Sequence, residues 1–179
     1  MDMIARRRFL RSAALMAGCF LPVIAQAAPA QRADKSLRFY HTHTGEALNR
    51  VFWSDGAYVP GALADISRLL RDHRTNEVLP IDPQLLSLLE RITSLTGKDD
   101  TLHVISGYRS PLTNRTLADR SDDVSRRSLH MDGKAIDIRI PGRDLQALRN
   151  AALSLRGGGV GFYPLSRFVH VDVGRVRAW

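Results

Sequence analysis

SLHMDGKAID, Ser128 to Asp137, sets how this chain folds around its chemistry. Gly133 permits a tight turn. After it, Ala135, Ile136, Asp137, Ile138, Arg139 and Ile140 alternate as a β-strand does. Asp137 stands in an otherwise apolar strand, where a lone carboxylate is costly unless it meets a cation. A second stretch, FVHVDVG, Phe168 to Gly174, places His170 among Phe168, Val169 and Val171 in the same way. Together they offer His130, Asp137 and His170, the ligand set of a catalytic zinc site with a fourth position open. Spacing alone leaves a second reading open, in which two satisfied core histidines lie beside a buried salt bridge.

Working outward, Leu37 to Tyr40 and Leu48 to Trp53 read as strands joined at Thr44-Gly45, with a further turn at Ser54-Asp55-Gly56. Leu63, Ile66, Leu69 and Leu70 recur at helical spacing, in a helix fading at Thr75-Asn76. Asp82 and Pro83 start the next helix, Leu85, Leu86, Leu88, Leu89, Ile92 and Leu95 form its apolar face, and Gly97 ends it. Leu102 to Ile105 is a strand leading into Ser106-Gly107-Tyr108-Arg109-Ser110, and Thr113 to Arg120 is a short helix. Asp122 and Asp123 fall in a charged loop. Asp144 to Leu155 is a helix, and Val160 to Tyr163 and Phe168 to Val173 are the last strands. The order is α+β, with the chemistry in the C-terminal half.

The first 27 residues read as an export signal rather than as part of the fold. Arg6, Arg7, Arg8, Phe9, Leu10 and Arg11 make a twin-arginine motif, RRxFLR. An apolar run from Ser12 to Ile24 follows, then Ala25-Gln26-Ala27 as the cleavage site. The mature protein then begins near Ala28, in the periplasm, with 28–36 a disordered lead-in and 37–179 one domain. Cys19, the single cysteine, offers the alternative of a lipoprotein. Cleavage after Ala27 leaves no cysteine and hence no thiolate ligand. It also leaves no transmembrane anchor, since a span needs about 20 apolar residues. Of the net charge of +8, residues 1–27 carry four arginines and one aspartate, so +5 remains. Without a run of five or six basic residues, that surface suits an anionic polymer but is no nucleic-acid footprint.

Ser128, His130, Gly133, Ala135 and Asp137 fit S-x-H-x-x-G-x-A-x-D. This resembles the zinc D-alanyl-D-alanine peptidases and their hedgehog-type and VanX-type relatives. HTGE (His43–Glu46), SGYRS (Ser106–Ser110), GGVGFYP (Gly158–Pro164) and FVHVDVG together resemble, more closely, the periplasmic murein endopeptidases of the MepK (YcbK) type. The resemblance implies a small antiparallel sheet carrying the site, with helices on one side. It implies one zinc per chain on His130, Asp137 and His170, and hydrolysis of peptide cross-links in peptidoglycan. Two rival functions stay open: a D,D- or L,D-carboxypeptidase or dipeptidase on stem peptides, and a non-catalytic peptidoglycan-binding module with structural zinc.

Arg109, a fixed cation after a strand, could hold an oxyanion or a substrate carboxylate. Ser128 could hydrogen-bond a ligand from behind. Such peptidases often carry an acid three residues before the last ligand histidine, where this chain has Arg167. Asp172 shares a strand face with His170 and is therefore nominated as general base or as a partner orienting a ligand. His41 and His43 would share one strand face, but a pair without a third ligand reads as polar surface. His73 and His103 read as structural.

Overall fold

The computed structural model describes residues 33–179 except Lys98, Asp122 and Asp123. The expected signal, its cleavage site and Cys19 lie outside the described residues, as do Asp122 and Asp123. The strands are β1 (Lys35–His41), β2 (Ala47–Ser54), β3 (Ala57–Tyr58), β4 (Thr101–Ser106), β5 (Ala135–Arg139), β6 (Gly159–Tyr163), β7 (Phe168–Asp172) and β8 (Arg177–Ala178). The helices are α1 (Pro60–Leu69), α2 (Pro83–Thr96), α3 (Pro111–Ala118) and α4 (Leu145–Ser154). Among the described residues, no helix is long and apolar enough to cross a membrane.

The mixed α+β order matches the expectation, but the sheet is neither small nor wholly antiparallel. It has eight strands in the order β3-β2-β1-β4-β5-β7-β6-β8. β1 runs parallel to β4, and β6 parallel to β8. Parallel neighbours need a crossover connection, and the segment carrying α1 and α2 between β1 and β4 provides it. β3 and β8 have two residues each, too few to show a period in sequence.

Alternation along the strands sorts the two faces. Leu37, Phe39, Leu102, Val104, Ile136, Ile138, Val169 and Val171 are buried in the core with Ile66, Leu85, Leu86, Leu89, Ile92 and Leu148 of α1, α2 and α4. Asp137, His170 and Asp172 occupy the alternate positions of β5 and β7, hence the opposite face. α2 begins as expected, with the Asp82 carboxylate accepting from the Gln84 amide and Pro83 in the first turn. Leu95 departs from the expected stripe and is exposed.

α1 stops at Leu69, earlier than its periodicity suggested. The chain turns there because it must meet another segment: the Leu70 carbonyl accepts from the Tyr108 amide. Asp72, fully buried, then ties the loop down. Its carboxylate accepts from the Arg74 and Ser110 amides, both at 2.9 Å. Burial alone would raise its pKa, but bonds from Thr113, Arg74 and Ser110 bring it from 3.8 to about 2. Nothing in the sequence marked Asp72, whose partner Ser110 lies 38 residues on.

A group with a depressed folded pKa stabilises above its unfolded pKa and loses that contribution as pH falls through the folded value. Asp72→Asn is therefore expected to cost about 1–3 kcal/mol near neutral pH. The gap from the unmutated protein should close as pH falls from about 4 to about 2. Urea unfolding across that range checks it; a gap that is constant with pH rejects the role.

Candidate metal centre

β5 and β7 pair antiparallel with Asp137 directly opposite His170. Directly opposed residues hold their Cβ atoms about 5 Å apart on one face, so two of the three groups meet through backbone register. The third arrives on a short 3-10 turn, Leu129–Asp132, just before β5. Gly133 ends that turn at φ 66°, and a Cβ there would stand 2.5 Å from the Pro80 carbonyl oxygen. Only glycine meets both conditions.

The three side chains converge. His130 Nε2 lies 3.2 Å from Asp137 Oδ1 and 3.2 Å from His170 Nδ1, and His170 Nδ1 lies 2.8 Å from the same carboxylate oxygen. Among the described residues, this is the only group of three or more His, Cys, Asp or Glu side chains close enough to hold a metal. A tetrahedral zinc with bonds near 2.0–2.1 Å separates its ligands by about 3.3–3.4 Å, so small adjustments bring these atoms onto that geometry.

The outer nitrogens support the same fit. His130 Nδ1 lies 2.7 Å from the Gly107 carbonyl, which can only accept. His170 Nε2 lies 3.2 Å from Asp172 Oδ2. When both outer nitrogens donate, the inner nitrogens turn lone pairs toward each other and toward Asp137. Three converging lone pairs call for a cation, and outer acceptors of this kind fix the tautomer of metal-ligating histidines.

Burial pushes the His130 pKa down, which favours the neutral form that a metal needs. Burial also opposes protonation of His170, but bonds to Asp137 and Asp172 outweigh it and raise its pKa. Asp137 is held well below the usual carboxylate range: burial works against this, and the two histidines overcome it.

Arg109 stands against the cluster. Its Nη2 donates to Asp137 Oδ2 at 2.7 Å and its Nε to Ser106 Oγ at 2.9 Å. Its main-chain N–H donates to the His130 carbonyl. Among the described residues, Nη1 has no partner. Ser128 reaches the ligand segment through the main chain, accepting from the His130 amide at 3.4 Å and so capping the turn.

Asp172 is completely buried. Oδ1 accepts from the Gly159 and Gly174 amides at 2.9 and 2.8 Å, and Arg177 Nη2 donates to Oδ2 at 2.7 Å. Burial would raise its pKa, but His170, the Gly159 amide, Arg177 and the Gly174 amide together depress it strongly. It does not line the cavity over the cluster. That cavity, about 450 Å³, is walled by Arg109, Arg127, Tyr163, Phe168, Arg177 and Trp179 among others. Arg177 and Trp179 went unnoticed in sequence, since neither belongs to a motif with a chemical signature.

The other histidines do not form a comparable centre. His41 is fully buried at the end of β1, whereas His43 lies beyond it in the turn. His43 stacks on His73 with ring centroids 4.1 Å apart and planes 8° from parallel. Rings stacked face to face aim their in-plane lone pairs side by side rather than at one point. His103 packs against Tyr40.

Substituting His130, Asp137 or His170 with alanine is expected to abolish stoichiometric zinc binding, because two ligands lose affinity and geometry together. His43→Ala should retain full zinc. Metal analysis of the purified variants checks both; full occupancy in all three ligand variants rejects the centre. Asp172→Asn should weaken zinc affinity by about 10–100-fold, with occupancy restored by excess zinc.

Comparison with known proteins agrees with the geometry. A family profile described as Peptidoglycan L,D-endopeptidase MepK (Peptidase M15_2) matches residues 28–179. Peptidoglycan L,D-endopeptidase MepK of Escherichia coli (strain K12) is 39% identical over 175 residues, covering 97% of this chain and 96% of the relative. Probable peptidoglycan L,D-endopeptidase MepK of Haemophilus influenzae is 43% identical over 144 residues, 80% of this chain and 77% of the relative. This chain therefore belongs to the MepK family of M15 peptidases.

Proposed function

We propose that this chain is a zinc-dependent murein endopeptidase that hydrolyses peptide cross-links in peptidoglycan. The observation that carries the proposal is the buried His130–Asp137–His170 cluster under a cavity, in a chain of this family. The cavity is of a size that encloses a short peptide segment. Arg109, Arg127 and Arg177 line it, and Asp137 is the one carboxylate among the described lining residues. Such a wall favours an anionic ligand, and murein stem peptides carry free carboxylates.

His130, Asp137 and His170 would hold one zinc. When bound, zinc supplies Lewis-acid polarisation of a carbonyl and a nucleophile near neutral pH. Arg109 holds Asp137 in place through Nη2 and presents Nη1 toward charge developing on the scissile carbonyl. Asp172 is the partner that orients His170: a carboxylate already accepting from two amides and an arginine is a poor base. Ser128 shapes the turn that delivers His130. The N-terminal twin-arginine segment would export the chain to the periplasm, where murein lies. Cleavage near Ala28 is read by N-terminal sequencing; an acylated Cys19 would replace this with a lipoprotein.

The test is incubation of the purified protein with defined cross-linked muropeptides, with and without chelator, and product identification by mass. The relatives' names carry an L,D stereochemistry, so the first substrate is a cross-link whose scissile bond joins an L to a D centre. Cross-link cleavage abolished by chelator and restored by zinc is expected. Release of single residues or dipeptides alone would make the chain a carboxypeptidase or dipeptidase, and binding without cleavage a murein-binding module. At saturating zinc, Arg109→Ala should lower kcat by about 10²–10³, the usual loss for one oxyanion donor. Arg109→Lys should restore only part, since an ammonium cannot hold Asp137 and face the carbonyl with one planar fork. Unchanged kcat in Arg109→Ala removes this arginine from the chemistry.

A further inference from the structure

Gly161 and Tyr163 of GGVGFYP stand on the site face of β6, opposite His170 and Phe168 respectively. A Cβ on Gly161 would lie 2.7 Å from the Trp179 indole, so glycine there lets the ring lie down over the strand. Main-chain bonds fix Trp179 on β6: the Phe162 amide donates to its carbonyl, and its own amide donates to Val160. The Arg177 guanidinium covers the indole at 4.8 Å from the ring centroid, and the His170 ring centroid lies 5.3 Å away. The indole is thus held on three sides.

Its Nε1 donates to the Tyr163 hydroxyl oxygen at 2.8 Å. An indole N–H can only donate, so the phenol oxygen is the acceptor in this bond and its own proton is free to point elsewhere. Stacking on Phe168, with centroids 4.6 Å apart, holds the phenol ring. Among the described residues no acceptor takes that proton. Tyr163 lines the same cavity as Arg109, His130, Asp137 and His170.

We propose that Tyr163 is a catalytic residue whose hydroxyl donates a hydrogen bond to the scissile carbonyl oxygen of the bound peptide, with Trp179 as the positioning residue that aims it. The bond strengthens as that oxygen gains negative charge, and the proton stays on the phenol. Arg109 Nη1 is then the second donor to the same atom. This assignment rests on the peptidase reading above.

The test is steady-state hydrolysis of a cross-linked muropeptide by zinc-loaded Tyr163→Phe, Trp179→Phe and the double variant, with zinc content measured for each. Phenylalanine keeps the stack on Phe168 and removes only the donor. Tyr163→Phe should lower kcat by about 10²–10³ at unchanged KM and full zinc. Trp179→Phe should lower kcat less, and the double variant should match Tyr163→Phe, because the indole acts through the phenol. Unchanged kcat in Tyr163→Phe, a change in KM alone, or a rate loss that tracks zinc loss would overturn the catalytic role. Multiplicative losses in the double variant would overturn the positioning role. Failure of the unmutated protein to cleave any cross-link would overturn the peptidase reading, and this assignment with it.

Discussion

The register between β5 and β7 is the constraint on which the molecule depends. Setting Asp137 across from His170 brings a carboxylate and an imidazole together without any loop having to find its place. A slip of β7 by one residue would turn His170 to the opposite face and drive Val169 and Val171 out of the core. Core packing and ligand placement are thus two results of one pairing. The hydrophobic face that selects the register also holds the polar site together.

Around that pair, each member of the cluster is bonded to a further group. Gly107 offers a carbonyl to His130, Asp172 a carboxylate to His170, and Arg109 a guanidinium to Asp137. These supports come from two places: the loop between β4 and α3, which carries Gly107 and Arg109, and the end of β7. Asp72 anchors the first of them by gripping the Ser110 amide next to Arg109. The site is therefore stiff because the sheet and its loops are mutually braced, as a preorganised centre requires.

Much of this was legible in sequence. Asp137 and His170 stood out because polar groups in apolar strands need a partner, and the S-x-H-x-x-G-x-A-x-D pattern added His130. The long strands and α2 were readable from alternation and from Asp82-Pro83. What escaped was long-range. Asp172 could be placed on the right face but not given one role, since the amides and the arginine that saturate it come from Gly159, Gly174 and Arg177. Asp72 carried no local signal. The parallel pairing of β1 with β4 and the two-residue strands β3 and β8 follow from tertiary assembly, which periodicity does not encode.

The two histidines face each other through different nitrogens, His130 by Nε2 and His170 by Nδ1. Nδ1 is nearer the backbone along the ring, so β7 runs closer beneath the centre than the turn carrying His130 does. The two positions therefore differ in the lengths of side chain they can accept. From β7, an aspartate oxygen, two bonds from Cβ as Nδ1 is, spans roughly the distance that Nδ1 spans. From residue 130, only a long side chain arrives. The scaffold is thus asymmetrically open to exchange of its donor atoms, and re-engineering toward a harder ion would begin at position 170.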